Sequence, residues 1–224
     1  MSEARYIIGI DEVGRGPLAG PVGVGVAYVP VDFNWAVLPG VTDSKQLSES
    51  RREEIAAAAR RLKAAGQLHF EVSMVSAPVI DRIGIVSAIN LAINRALKRV
   101  ETKLQITAVN CSNQPYQNLS VERENWFSVC TVKLDGGLGA PGCYQQQETI
   151  IKGDATVPEI GLASIVAKVA RDGYMRRLAK RAAYTPYQFD THKGYGTKLH
   201  RAAIAEHGVS NQHRQSYCRN IKLL

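Results

Sequence analysis

No stretch of this chain approaches the roughly 20 consecutive apolar residues that a membrane-spanning helix needs, so no transmembrane role is expected of it. The first residues, Met1-Ser2-Glu3-Ala4-Arg5, lead at once into a strand-like run and carry neither an apolar h-region nor a cleavage site. A secretory signal is therefore not expected, and cytoplasmic residence is the default. Cysteine is sparse. Cys111, Cys130, Cys143 and Cys218 include no CxxC pair, which speaks against a zinc framework and leaves reduced packing or surface thiols. Internal repeats and low-complexity tracts are missing as well.

What remains is an ordinary globular composition with an unusual charge. The 224 residues are 45% hydrophobic and 21% charged, enough for one large domain or two small ones with a real core. The formal net charge is +8 with a pI near 9.4, a balance that favours nucleic acid or another polyanion as partner. Basic residues cluster at Arg51-Arg52 to Arg60-Arg61-Lys63, from Arg171 to Arg181, and in the tail from His192 to Lys222. Charge alone does not separate this reading from a basic protein of unrelated function.

Along the chain, residues 6–10 and 22–29 read as strands, the second alternating glycine with valine as if closely approached on one face. Ser50-Arg51-Arg52-Glu53 reads as a capping box opening a helix that stops at Gly66. Leu68 to Val75 alternates like a strand. From Pro78 to about Leu104, Ile89, Ile93, Leu97 and Val100 keep a helical spacing. Ile106 to Asn110 reads as a short strand and Phe127 to Leu134 as another, with a polar, irregular segment between them and a Gly/Gln-rich loop from Gly136 to Gln147 after them. A long amphipathic helix is expected from Pro158 to about Ala182, and a last one from Thr197 to His207, ended by Gly208. Strands followed by interleaved helices imply an α/β sheet protein, with a small helical appendage after about Ala183.

The chemistry concentrates in four acids at the ends of apolar runs. Asp11 and Glu12 follow Tyr6-Ile7-Ile8-Gly9-Ile10, Asp135 closes Cys130-Thr131-Val132-Lys133-Leu134, and Asp154 closes Ile150-Ile151-Lys152-Gly153. If these ends converge, they offer hard oxygen ligands suited to Mg²⁺ or Mn²⁺. A carboxylate metal site in a basic protein suggests hydrolysis of a phosphodiester, in which two divalent ions about 4 Å apart activate water and stabilise the leaving oxygen. Neighbours on a strand point to opposite faces, so Asp11 and Glu12 can share such a site only if the chain bends there. The clustered charges would repel one another without metal, so the metal-free site is expected to be strained or disordered and the fold to gain stability on metal binding. Any single Asp-Gly at a strand end is equally a turn residue. Gly14-Arg15-Gly16 permits close backbone approach to an anion or a sugar edge, though three such residues also make a simple turn before Pro17. Lys45 and Lys168 are candidates for phosphate contact or plain solvated lysines. Tyr195, set in His192-Lys193-Gly194-Tyr195-Gly196-Thr197, can stack on a sugar or base or simply pack against the helix behind it.

These segments resemble the bacterial ribonuclease HII family. The residues that carry the match are Gly9 through Val22 (with Asp11-Glu12-Val13-Gly14-Arg15-Gly16-Pro17 at their centre), Asp43-Ser44-Lys45-Gln46-Leu47-Ser48, Leu134-Asp135-Gly136 and Ile151-Lys152-Gly153-Asp154. They continue with Val157-Pro158-Glu159-Ile160, Ala163 through Asp172, His192 through Thr197, and His213-Arg214-Gln215-Ser216-Tyr217. The match runs from residue 6 to about 217. It implies a ribonuclease H-like α/β fold, a mixed five-stranded sheet flanked by helices. The catalytic domain would span residues 1–183, and a C-terminal helical segment, 184–224, would complete the substrate-binding site. It implies hydrolysis of the RNA strand of RNA–DNA hybrids and incision 5′ of ribonucleotides embedded in duplex DNA, leaving 3′-hydroxyl and 5′-phosphate ends, in ribonucleotide and RNA-primer removal. Carried over by motif, Asp11, Glu12, Asp135 and Asp154 are the metal ligands for two Mg²⁺ or Mn²⁺ ions. Gly14, Arg15 and Gly16 read the 2′-hydroxyl, which is what distinguishes RNA from DNA at a site, and Tyr195 stacks on the neighbouring deoxyribose. A monomer is expected, and the sequence assigns no clamp or polymerase partner.

The chain departs from the family pattern at Asp135-Gly136-Gly137, where Asp-Gly-Asn is common, and at Ala155, where serine often follows the fourth acid. Residues 110–128 read as an insertion, and two extra residues lie between the long helix and Tyr195. Three other readings compete. A non-catalytic binding module would keep the basic surface and lose an acid, and all four are here. The ribonuclease HIII relatives usually carry an added N-terminal domain, and five residues precede the first strand. A generic metal-dependent DNA nuclease has no use for a 2′-hydroxyl reader such as Gly14-Arg15-Gly16 with Tyr195.

Overall fold

The structure, a computed structural model, describes residues 5–42, 47–111 and 130–221, with residues 104–111 described by backbone alone. Five strands form one mixed sheet in the order β3-β2-β1-β4-β5. β1 (Tyr6–Val13) pairs antiparallel with β2 (Val22–Pro30), and β2 antiparallel with β3 (His69–Val75). On its other side β1 runs parallel to β4 (Cys130–Asp135), which runs parallel to β5 (Gln147–Ile150). The fold expected from the sequence, a mixed five-stranded sheet with flanking helices, is the one found.

Strand alternation decides which helix covers which face. Ile8, Ile10, Val22, Val24, Val26, Val132 and Leu134 are buried against α3 (Ile85–Cys111), whose Ala88, Ile89, Ala92, Ile93, Ala96, Leu97 and Val100 keep the three-to-four spacing of an apolar stripe. Burying each large aliphatic side chain here is worth about 1.5–3 kcal/mol. The opposite face carries Ala27 and Val29 under α1 (Glu49–Ala64) and α5 (Pro158–Ala179).

On that face the sheet is stripped to glycine. A Cβ placed on Gly9 would lie 2.2 Å from the Glu159 backbone, and one on Gly25 would lie 2.1 Å from the Ala163 carbonyl oxygen. α5 therefore rests on bare strand backbone, closer than a side chain allows. The alternation of glycine and valine in β2 is the sequence trace of this contact.

Several expected boundaries shift. The run Ile106 to Asn110 is not a strand: α3 continues through it to Cys111, because a short apolar run has no period of its own and the helix it joins decides its state. The helical stretch from Pro78 is broken. α2 (Ala77–Ile83) and α3 meet at Gly84 with a bend of 118°, and no single helix among the described residues is long and apolar enough to cross a membrane. The cap of α1 is Ser48, whose side chain accepts the Arg51 N–H at 3.2 Å, rather than Ser50. β5 stops at Ile150, and Asp154 sits on a separate helical turn, α4 (Gly153–Thr156), not at a strand end. The insertion expected at 110–128 falls almost wholly outside the described residues.

After α5 come a 3-10 helix (Ala182–Tyr187) and three helices: α6 (Phe189–His192), α7 (Lys198–His207) and α8 (Gln215–Cys218). Tyr187, Phe189, Ile204 and Cys218 pack on Met175 and Leu178 of α5 and on Ala19 of the β1–β2 loop. Cys130 and Cys218 are free buried thiols, which burial pushes up to about 12 and about 11, and Cys143 is free and exposed. The two buried thiols serve as packing.

The glycine contact carries a prediction. Gly9→Ala forces α5 off the sheet, and the expected loss is roughly 1–3 kcal/mol or more, read as a lower urea midpoint. A wild-type midpoint would show that α5 can move aside freely.

Candidate active site

Asp11 and Asp135 are brought together by register. Ile10 pairs with Leu134 across the parallel β1–β4 ladder, so the next residue of each strand is a carboxylate. By alternation both lie on the α5 side, Asp11 following Gly9 and Asp135 following Lys133. Asp11 is buried, its Oδ1 accepts the Glu12 N–H at 2.8 Å, and its carboxylate is hydrogen-bonded by Ser164 of α5. Asp135 Oδ1 accepts the Gly153 N–H at 2.7 Å. That bond ties β4 to α4, and Asp154, buried, is the next residue. Glu12 stands on the other parity of β1, since the strand continues to Val13 without the expected bend. It is nonetheless in electrostatic reach of Asp11, and Arg15 approaches it at 3.4 Å.

The electrostatics are those of an unneutralised cluster. Burial pushes the Asp11 carboxyl up to about 7, the charges of Asp135 and Glu12 push it the same way, and the Ser164 and Glu12 N–H bonds only partly oppose them. Among the described residues, no three Asp, Glu, His or Cys side chains are placed to hold one ion together. The fit to a divalent cation is thus one of donor chemistry and charge, in all-oxygen ligands with excess negative charge, and not of a preassembled cage. The carboxylates sit on regular elements, Asp11 and Glu12 on β1, Asp135 on β4 and Asp154 on α4.

Beside the acids, Gly14-Arg15-Gly16 is held by two buried arginines that sequence reading left without a role. Gly14 has φ +81°, and a Cβ there would lie 2.2 Å from Arg171 Nε. Arg171, on α5, donates from Nε to the Pro21 carbonyl at 2.9 Å and from Nη2 to that of Ala19 at 3.2 Å. Arg214 donates to the carbonyls of Gly14 (2.6 Å), Arg15 (2.9 Å) and Gly20 (3.1 Å). Burial pulls the Arg214 guanidinium down to about 10, which leaves it charged at neutral pH, and also lowers that of Arg171. Asp81 of α2 in turn accepts the Gln215 and Ser216 N–H groups at 2.8 and 3.1 Å, anchoring the segment that delivers Arg214. Gly16 has nothing within 4 Å of its Cβ position and stays open to a ligand.

Tyr195 is 42% exposed, so it is not packed away against α7. Arg171 lies 5.8 Å and Lys168 6.0 Å from its ring centre. Lys168 is ion-paired with Asp172 at 2.9 Å, which makes it part of the support under Tyr195. Lys45, with Asp43, Ser44 and Gln46, lies outside the described residues. Ser164, Lys168 and Arg171 follow the helical spacing i, i+4, i+7, and that polar stripe was the signal by which Ser164 and Arg171 were to be found.

Comparison with known proteins identifies the fold and the family. The structure superposes on that of ribonuclease HII from Archaeoglobus fulgidus, solved in complex with PCNA, with a TM-score of 0.63 and 24% identity, covering 96% of this chain and 94% of that one. It superposes on Bst-RNase HIII in complex with Mn²⁺ with a TM-score of 0.62 and 18% identity, covering 97% and 63%. Likeness at these identities shows the fold, that of the type 2 ribonucleases H. The ribonuclease HII family model matches residues 8–220. The ribonuclease HII of Endomicrobium trichonymphae is 38% identical over 211 residues, 94% of this chain and 84% of that protein. The ribonuclease HII of Bacillus anthracis strain CDC 684 is 39% identical over 212 residues, 95% and 68%. The chain belongs to the ribonuclease HII family, and is an endoribonuclease of RNA–DNA hybrids.

Two outcomes follow from the packing of charge. Asp11→Asn keeps the bonds from Ser164 and the Glu12 N–H while removing a buried, repelled charge. It should raise the metal-free stability by about 1–3 kcal/mol, seen as a higher Tm in EDTA; a lower Tm would mean that the charge is compensated. Arg214→Lys replaces a fork that reaches three carbonyls with a point donor. The expected loss is about 1.5–3 kcal/mol, and an unchanged urea midpoint would remove the anchoring role.

Proposed function

We propose that this protein incises duplex DNA on the 5′ side of an embedded ribonucleotide, as well as cutting the RNA strand of longer hybrids, leaving 3′-hydroxyl and 5′-phosphate ends. The observation that carries the reading is the double contact of Arg171. Its guanidinium fills the space where a side chain on Gly14 would stand, and it also lies beneath the Tyr195 ring. The loop and the aromatic are thereby held to one group, next to the Asp11–Asp135 pair. A backbone loop that can touch a 2′-hydroxyl and an aromatic that can stack on the next sugar form a reader for an RNA-to-DNA step.

Each residue has a part in this reading. Gly14, Arg15 and Gly16 approach the ribose with backbone groups, Gly16 giving room for the sugar edge. Tyr195 stacks on the deoxyribose that follows. Lys45 and Lys168, within an overall charge of +8, attract and seat the phosphates. Asp11, Glu12, Asp135 and Asp154 are the ligands for two Mg²⁺ or Mn²⁺ ions, which when bound supply an activated water and a counter-charge for the leaving oxygen. The donor set and the unneutralised charge at Asp11 support this assignment, and a ribonuclease HIII of the same fold has been crystallised with Mn²⁺. Such an activity serves ribonucleotide and RNA-primer removal during DNA replication and repair, in the cytoplasm.

The experiment is cleavage of a labelled DNA duplex containing one ribonucleotide, in Mg²⁺, Mn²⁺ or EDTA, beside an all-DNA duplex and a long RNA–DNA hybrid. A single metal-dependent cut 5′ of the ribonucleotide is expected, with the all-DNA duplex intact. Cutting of all-DNA would point to a general nuclease, and binding without any cut to a recognition module. Asp135→Asn should abolish cleavage while hybrid binding survives, and wild-type rates in that variant would sink the ligand assignment. Tyr195→Ala should hurt the single-ribonucleotide substrate most, losing about 1–3 kcal/mol of stacking there. An equal loss on every substrate would take the junction role from Tyr195.

A further inference from the structure

His192, His200 and His213 form a buried stack behind Tyr195 that the hydrolytic reading leaves without a role. The His192 and His200 rings stack with centroids 4.2 Å apart, and His200 Nε2 meets His213 Nε2 at 3.0 Å. Their outer nitrogens fix where the protons sit. His192 Nδ1 accepts the Gly194 N–H at 3.1 Å, so its Nε2 donates to the Tyr187 carbonyl at 2.7 Å. His213 Nδ1 accepts the Ser210 N–H at 2.9 Å and lies 2.8 Å from the Ser210 hydroxyl, and with both donating to Nδ1 its Nε2 carries the proton offered to His200. His200 accepts that proton at Nε2 and donates from Nδ1 to the Tyr195 carbonyl at 2.9 Å. With these protons every bond is made and all three imidazoles are neutral. A proton added to His200 would set two N–H groups face to face unless His213 turned its own proton to Nδ1, where it would give up the Ser210 N–H bond and oppose that N–H.

The stack also joins Tyr195 to the loop that follows Gly16. The Gly194 carbonyl accepts the Leu18 and Ala19 N–H groups at 2.9 and 3.2 Å, Gly20 donates to the Gln212 carbonyl at 2.8 Å, and Arg214 donates its N–H to the Leu18 carbonyl at 2.8 Å. His213 itself bridges Ala19. We propose that the His192–His200–His213 stack is a positioning device that holds Tyr195 and the Gly14-Arg15-Gly16 loop in register. It does so only while uncharged, so that acid costs the enzyme its ribonucleotide-junction recognition before its cutting of long hybrids. This rests on the junction reading given above.

The surroundings keep the stack uncharged. On the α6 side Asp190 favours a proton on His192 and Lys193 opposes it. Tyr187 of the 3-10 helix faces His213 edge-on at 4.7 Å, stacks on Phe189 at 5.5 Å and meets His207 of α7 at 6.3 Å. Arg201 of α7 bonds the Gly196 carbonyl, and Glu206 stands by His207 at 3.7 Å. From α5 and the C-terminal segment the charges are Lys168, paired with Asp172, and the guanidiniums of Arg171 and Arg214. Burial pulls His200 and His213 down to about 4, each helped by a neighbouring imidazole. The unfolded or opened segment, with ordinary histidines, therefore binds more protons between pH about 4 and about 6.5. The stabilisation is complete above that window and falls as pH falls through it.

The test compares wild type, His200→Ala and His200→Asn on a duplex with one ribonucleotide and on a long hybrid, from about pH 8 to about pH 5. Amide exchange of Leu18, Ala19 and Arg214 is measured on the same proteins at one pH. In wild type the ratio of junction to hybrid rates should fall toward the acid end. His200→Ala should lose about 10²-fold on the junction substrate and less than about tenfold on the hybrid, with faster exchange at all three amides. His200→Asn, which keeps a donor near the Tyr195 carbonyl and cannot be protonated, should recover most of the junction rate and flatten the acid limb. Equal losses on both substrates, or unchanged protection of the three amides in His200→Ala, would overturn the proposal. If His200→Ala does not fold, the wild-type ratio and His200→Asn decide it: a flat ratio in wild type, or an Asn variant with the wild-type acid limb, rejects it. Wild type that leaves the single ribonucleotide uncut at pH about 8 defeats the junction reading itself; amide protection then still decides whether the stack holds the loop.

Discussion

The contact on which the rest of this structure depends is that of α5 with the bare backbone of β1 and β2. At Gly9 and Gly25 the helix comes closer than any side chain would permit, and that closeness fixes its height and its rotation over the sheet. A rigid helix at fixed rotation presents one stripe in one place. Ser164 then reaches Asp11, Lys168 and Arg171 lie under Tyr195, Arg171 fills the space behind Gly14, and Met175 meets Gly20 and the C-terminal cluster. Removing the glycines from this account would leave the acids, the loop and the aromatic with no common reference. The largest apolar cluster among the described residues lies on the α3 face, but it is the thin α5 face that sets the geometry of the site.

Two buried guanidiniums convert that reference into a shaped loop. A charge in a protein interior is tolerated only where hydrogen bonds replace its hydration. Here the replacements are main-chain carbonyls: Ala19 and Pro21 for Arg171, and Gly14, Arg15 and Gly20 for Arg214. The loop cannot rearrange without stranding a buried charge, so the arginines act as internal jigs. Positive charge buried behind the loop also biases this corner of the molecule toward anions, in the direction that the net charge of +8 already sets.

Much of this was legible in the sequence, and the parts that were not share a cause. The strand periodicity, the long helices, the Gly/Val alternation of β2 and the four acids follow local rules, and they fall where those rules put them. The expected strand at Ile106 to Asn110 does not, because five residues carry too little periodicity to outweigh the helix they continue. Asp154 at a strand end was half right: the acid is buried beside β4, but a left-handed Lys152 (φ 57°) turns the chain into a helical turn first. Arg171 and Arg214 were visible as letters and not as anchors, since their partners are carbonyls more than a hundred residues away. No spacing rule reports such a contact. The stripe of Ser164, Lys168 and Arg171 did lie within reach of helical periodicity, which applies to polar residues as well as to apolar ones.

The proposed reading divides the site into a reader of the sugar and a set of carboxylates, and they are built differently. On the proposed reading, recognition of one 2′-hydroxyl would rest on a single small group and call for a rigid reader: a loop pinned by five guanidinium bonds and an aromatic tied through His200 and Gly194. Asp11 and Asp135 each spend an oxygen on a backbone N–H, and Glu12 stands on the other parity of its strand. Carboxylates that repel one another across a partly buried gap keep a charge deficit that a divalent cation can fill. Their final arrangement then depends on the ion and on the phosphate brought to it. On the proposed reading, a rigid reader beside the acids would let the sugar, rather than the acids, set the position of the cut.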